Sequence, residues 1–168
     1  MSKYQNLGRV TWAAASFLLL FTAFNSADNL AAKVLRDDGF NELGFYSMAA
    51  LYLVFAISGF FSKAVVSSMP GSKKVPMFLG GMCYFIRILC FLLPATHQGE
   101  ALTWSLVIAS AMLNGFGAGL LWTAQGEYVT ECATEETKGF YFSYFFIIFM
   151  VSQILGNLVA ALVLEYAG

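Results

Sequence analysis

Phe140-Tyr141-Phe142-Ser143-Tyr144-Phe145-Phe146-Ile147-Ile148-Phe149-Met150-Val151-Ser152-Gln153-Ile154-Leu155-Gly156-Asn157-Leu158-Val159-Ala160-Ala161-Leu162-Val163-Leu164 is almost wholly apolar. A helix crosses a bilayer core of roughly 30 Å with about 20 such residues, so this stretch reads as a transmembrane helix. Four more of the same kind precede it, giving expected spans at about 10–35, 43–66, 76–94, 101–124 and 140–165. The far end of the first is polar, with Asn25, Asp28 and Asn29. Pro70, Pro76 and Pro94 fall where helices should start or stop. The expected fold is an all-α polytopic transmembrane bundle of about five spans, one transmembrane domain over residues 1–168.

Composition agrees. Globular chains are about half apolar and a quarter charged; here the shares are 59% and 11%, too few charges to coat a water-facing surface. A net charge of -1 gives no reason to expect nucleic acid as a partner. Cys83, Cys90 and Cys132 form no framework, and His97 lies in an expected loop. No metal site is expected from thiolate or imidazole, and no cofactor beyond bound lipid. Lys3 and Arg9 precede the first span, and Asn25-Ser26-Ala27 loosely suits a cleavage site. The apolar stretch is longer than a signal core, however, so the span is read as retained.

Orientation follows from basic residues in short loops. With the N-terminus inside, Lys3, Arg9, Lys63, Lys73, Lys74 and Lys138 are inside, only Lys33 and Arg36 are outside, and Arg87 lies in the membrane. Five spans then place the C-terminus outside.

Small residues let helices approach closely in lipid. Ala23, Ala27 and Ala31 form one stripe, Ala111, Gly115 and Gly119 a second, and Ser152, Gly156 and Ala160 a third. Each is read as intramolecular packing, with a dimer or partner seam as the alternative. Gly115-Phe116-Gly117-Ala118-Gly119 is no nucleotide loop, since it sits inside an apolar span with no strand before it. No catalytic set is present, so no enzyme is expected.

Polar groups at membrane depth are costly and usually partnered. Counted from Pro76, Arg87 falls roughly 16 Å along its helix, near the bilayer centre. Asp28 is a candidate counter-charge, and Gln153, judged closer in depth, the favoured neutral partner. Asn114 and Asn157 complete the expected polar cluster. It reads either as a solute path or as glue that fixes helix order. The expected inner loop offers Gln125, Glu127, Glu131, Glu135 and Glu136, with Thr134 capping a short helix. That loop is a solvated connector or a contact for a basic partner.

The run Gly115-Phe116-Gly117-Ala118-Gly119-Leu120-Leu121-Trp122-Thr123-Ala124-Gln125-Gly126-Glu127-Tyr128 resembles the Unc-ninety-three-like branch of the major facilitator superfamily. So do Gly139-Phe140-Tyr141-Phe142, Gln153-Ile154-Leu155-Gly156-Asn157 and the first-span run Leu20-Phe21-Thr22-Ala23-Phe24-Asn25-Ser26-Ala27-Asp28-Asn29-Leu30. The resemblance implies a twelve-helix fold of two six-helix halves, of which this chain matches the N-terminal one. It also implies channel regulation or trafficking rather than proven transport. Gly71-Ser72-Lys73-Lys74 is a weak relic of the superfamily's glycine-aspartate-arginine loop, and Asp28 stands where relatives often carry a neutral amide. The expected function is a non-catalytic accessory, structural or regulatory subunit, with lipid and other integral membrane subunits as partners. The alternatives are a half-transporter that pairs with a second half, or a truncated channel regulator.

Overall fold

The computed structural model describes residues 4–69, 71–93 and 100–166, and within them the chain is helical with no strand. Pro70, Pro94 and His97 lie outside the described residues, as does Lys3. In order come α1 (Leu7–Leu35), a turn at Arg36–Phe40, α2 (Leu43–Ser68), α3 (Lys74–Cys90), α4 (Glu100–Cys132) and α5 (Lys138–Tyr166). The chain divides into two compact units. One joins the residues up to Ser26 with those from Gln125 onward, and the other is Ala27–Ala124.

In the first unit α1 and α5 pack along matched stripes. Val10, Ala14, Phe17, Phe21 and Phe24 are buried on α1 at alternating steps of four and three, the spacing of one helix face. On α5 the buried stripe runs Tyr141, Phe145, Phe149, Ser152, Gly156 and Ala160. Its aromatic end meets the α1 aromatics edge to face, with Phe17 and Phe145 centroids 5.1 Å apart and Phe21 and Phe149 5.0 Å apart. Such pairs contribute about 0.5–1.5 kcal/mol each beyond the area they bury. Its small end allows close approach. Ser26 Oγ donates within α1 to the Thr22 carbonyl at 2.8 Å and lies 3.2 Å from the Gly156 carbonyl.

In the second unit α4 is clasped between α2 and α3. Every residue from Gly117 to Leu121 is buried. A Cβ on Gly115 would meet Leu51 and Val54 of α2, and one on Gly119 would strike the Ser58 and Ser62 hydroxyls. Gly117 faces Cys83 and Gly80 of α3. The second small-residue stripe, with Ala111 fully buried, is therefore an internal seam. The first stripe is not continuous: Ala23 is exposed, Ala27 half-buried, and only Ala31 joins a core, with Leu35, Leu43 and Val107.

Helix lengths and the inner loop add detail to the expected bundle. Four helices are long and apolar enough to cross a membrane among the described residues, namely α1 with its turn, α2, α4 and α5. α3 has 17 residues, about 25 Å at 1.5 Å per residue, because from Cys90 onward the backbone tightens. Phe91, Leu92 and Leu93 each donate to the carbonyl three residues back. The inner loop is also shorter than expected. α4 continues through Gln125, Glu127 and Glu131 to Cys132, and Thr134 caps no short helix. It forms a turn in which its N–H donates to Thr137 Oγ1 (2.9 Å) and its carbonyl accepts from Lys138 (2.9 Å), leaving Glu135 and Glu136 exposed.

Candidate functional site

The buried stripe of α1 continues in register through Asp28, Ala31 and Leu35, so a carboxylate occupies what periodicity makes a core position. The chain then reverses between Arg36 and Glu42. Gly39 has φ 85° and Asn41 φ 49°, left-handed conformations that glycine adopts freely and asparagine more readily than other side chains. α2 returns close against α1: a Cβ on Gly44 would lie 3.0 Å from the Ala32 Cα. The reversal delivers Ser47 and Met48, one turn into α2, to the level of Asp28.

Arg87 arrives from α3, on the face that also buries Pro76, Gly80 and Tyr84. It lies in the last turn of α3. A cation there is favoured by the helix dipole. Its guanidinium is fully buried and donates from Nη2 to Asp28 Oδ1 at 2.8 Å and to Ser47 Oγ at 3.2 Å. Ser47 Oγ donates in turn to the Gly44 carbonyl at 2.8 Å. The Met48 sulfur lies 3.9 Å from Nη2, and the Phe91 ring lies 4.7 Å from the guanidinium carbon. Nε and Nη1 are buried without a hydrogen-bond partner among the described residues.

Beside the pair is a cavity of about 380 Å³. Asp28, Ser47, Met48 and Phe91 line it toward Arg87, and Arg36 and Glu42 line it at the connector. Arg36 and Glu42 approach to 3.4 Å and are both well exposed, a pairing worth little on its own.

Of the expected polar cluster, then, the structure joins Asp28 and Arg87. The partner favoured from sequence, Gln153, is half-buried on α5 in the first unit, and Asn157 is exposed on the same helix. Asn114 is fully buried on α4, with neither amide atom partnered among the described residues. Ser47, Met48 and Phe91 were missed. The serine stripe Ser47, Ser58 and Ser62 of α2 was the available signal for the first.

A second polar site closes the opposite end of α1. Asn6 Nδ2 donates to the Cys132 carbonyl at 2.9 Å, satisfying the end of α4, and Arg9 stacks 5.4 Å from the Tyr128 ring centroid. Thr11 and Tyr144 share a hydroxyl contact at 3.0 Å. Of the expected partner-contact residues here, Gln125 is buried, Glu127 half-buried, and Glu131, Glu135 and Glu136 exposed. No group of side chains suited to a metal ion occurs among the described residues.

Comparison with known proteins gives one consistent answer. The family described as ion channel regulatory protein UNC-93 matches residues 39–168. The UNC93-like protein MFSD11 of Xenopus laevis is 32% identical over 145 residues, covering 84% of this chain and 30% of the relative. Protein unc-93 homolog A of Mus musculus is 30% identical over 169 residues, 95% of this chain and 34% of the relative. The putative potassium channel regulatory protein unc-93 of Caenorhabditis elegans is 32% identical over 158 residues, 88% and 20%. The chain thus spans about a third or less of the length of these relatives. No solved structure matches.

Proposed function

Because this chain belongs to the UNC-93 family of ion channel regulatory proteins, we propose that it is a non-catalytic membrane subunit that assembles with, and regulates, another integral membrane protein. The observation that carries the reading is the use of Arg87. Its charge is spent within the chain, holding α1, α2 and α3 together through Asp28 and Ser47. Meanwhile large side chains cover the outer faces, with Phe60 85%, Ile147 70% and Ile154 69% exposed. Those faces suit lipid and the apolar helices of a partner, which associate by close packing.

The orientation belongs to the same proposal: N-terminus inside and C-terminus outside, with α3 crossing as a fifth span. Residues 74–93, helix plus terminal turn, come to the roughly 20 residues a crossing needs. Glu131, Glu135 and Glu136 then face the inner side, where a basic partner segment could meet them.

The cavity beside Asp28 favours a second reading, a half-transporter that pairs with another half to form a path. Tagging the chain at its N-terminus, extracting native membranes in mild detergent and identifying what co-purifies separates the two. Stoichiometric membrane partners in a large particle support the subunit. A particle holding this chain alone or in two copies overturns it and leaves the transport reading.

A further inference from the structure

The cavity at the α1–α2 connector is lined by charges of both signs, and Arg87 stands behind its wall. Asp28 and Glu42 supply two carboxylates, Arg36 one guanidinium at the rim, and Arg87 another behind Ser47, Met48 and Phe91. Arg87 bonds to Asp28, Ser47 and Met48 through Nη2, while Nε and Nη1 remain buried with no acceptor among the described residues. Buried guanidinium donors left unmet are costly, and an oxyanion is the acceptor that suits either of them.

The ion pair restricts which ligand can supply that oxyanion. A simple anion beside Arg87 would confront the Asp28 carboxylate. A simple cation on Asp28 would strip Arg87 of its counter-charge, leaving a buried charge unpaired. A molecule carrying both charges meets neither penalty. We propose that this cavity binds a small zwitterion, with its ammonium on Asp28, which lines it, and its carboxylate or phosphate reaching one unmet Arg87 donor past Phe91. Phe45 and Phe91 line the same space, and an aromatic ring attracts an ammonium held over its face. Phe91 covers the guanidinium and is the side chain that must turn aside. It sits just past the end of α3, half-buried, in the tightened turn. A volume of about 380 Å³ accommodates a free amino acid or the ethanolamine phosphate of a lipid headgroup.

The reading stands apart from partner assembly, since binding is measured on the chain alone. The purified chain is placed in phosphatidylglycerol nanodiscs and its thermal unfolding followed as leucine is added, or as phosphatidylethanolamine replaces part of the lipid. One of the two zwitterions raises the unfolding midpoint saturably, while acetate and ethylammonium at the same concentration do not. A leucine response identifies a soluble ligand, and a phosphatidylethanolamine response without leucine identifies a headgroup. Ala32→Phe narrows the cavity while keeping both charges and raises the half-saturating concentration at least about tenfold. The paired variant Asp28→Asn with Arg87→Gln, a single sharp peak on size exclusion, loses the response. If either variant fails to fold, the other carries the test. No shift with either zwitterion, an equal shift with acetate or ethylammonium, or an unchanged response in a folded variant overturns the proposal.

Discussion

Gly80 of α3 and Gly117 of α4 meet backbone to backbone: a Cβ built on Gly80 would sit 2.6 Å from the Gly117 carbonyl oxygen and 2.8 Å from the Leu121 Cβ. No side chain fits without parting the two helices. Gly80→Val and Gly117→Leu are each expected to destabilise the second unit by about 1–3 kcal/mol through overpacking. Gly59→Val, with open space around it, is expected to do little. Thermal midpoints in one detergent compare the three.

The Arg87–Asp28 pair gives an asymmetric prediction. Arg87→Ala leaves a carboxylate stranded and Asp28→Ala a fully buried guanidinium, each at a cost of about 3–5 kcal/mol. Neutralising both, as Asp28→Asn with Arg87→Gln, should restore most of that stability. A double-mutant cycle on unfolding midpoints measures it, and additive losses would contradict a coupled pair.

At the other end, Asn6→Ala removes the donor to the Cys132 carbonyl, a hydrogen bond contributing about 0.5–1.5 kcal/mol. The loss should be local. Faster hydrogen exchange over residues 129–133 with little change in the global midpoint is the expected pattern.

Membrane crossing by α3 is decided by three exposed positions. In a cysteine-free background Asp38→Cys, Ser72→Cys and Glu135→Cys are tested with a membrane-impermeant maleimide from each side. If α3 crosses, residues 72 and 135 label from the same side and residue 38 from the opposite one. If it does not, 72 and 135 label from opposite sides.

Apolar run length announced α1, α2, α4 and α5, because a bilayer demands that length and little else produces it. Other features had no such signature. Gln125–Cys132 reads as a polar loop because a helix that outlasts the apolar zone loses the pattern by which it is recognised. The early end of α3 was hidden because the tightened turns after Ile88 carry no marker before Pro94. The cost of charge at membrane depth did mark Arg87 as needing a partner, with Asp28 a candidate. It says that a partner is needed but not which helix brings one, so Gln153 looked a better partner than Asp28. Ser47 was hidden for the opposite reason: one hydroxyl among many serines gains meaning only once the Gly39–Asn41 reversal sets it opposite a guanidinium.

The partners of Phe17 and Phe21 have a consequence for biosynthesis. They are Phe145 and Phe149, near the end of the chain, while residues 27–124 between them form a unit of their own. At about 5–20 residues per second, α1 leaves the ribosome roughly 6–25 seconds before α5 exists to meet it. During that interval the α2–α4 and α3–α4 glycine seams can close, while the aromatic stripe of α1 still faces lipid or an insertion factor. The newborn first helix is thus a client waiting for the last, and a slowed or stalled ribosome prolongs that wait in direct proportion.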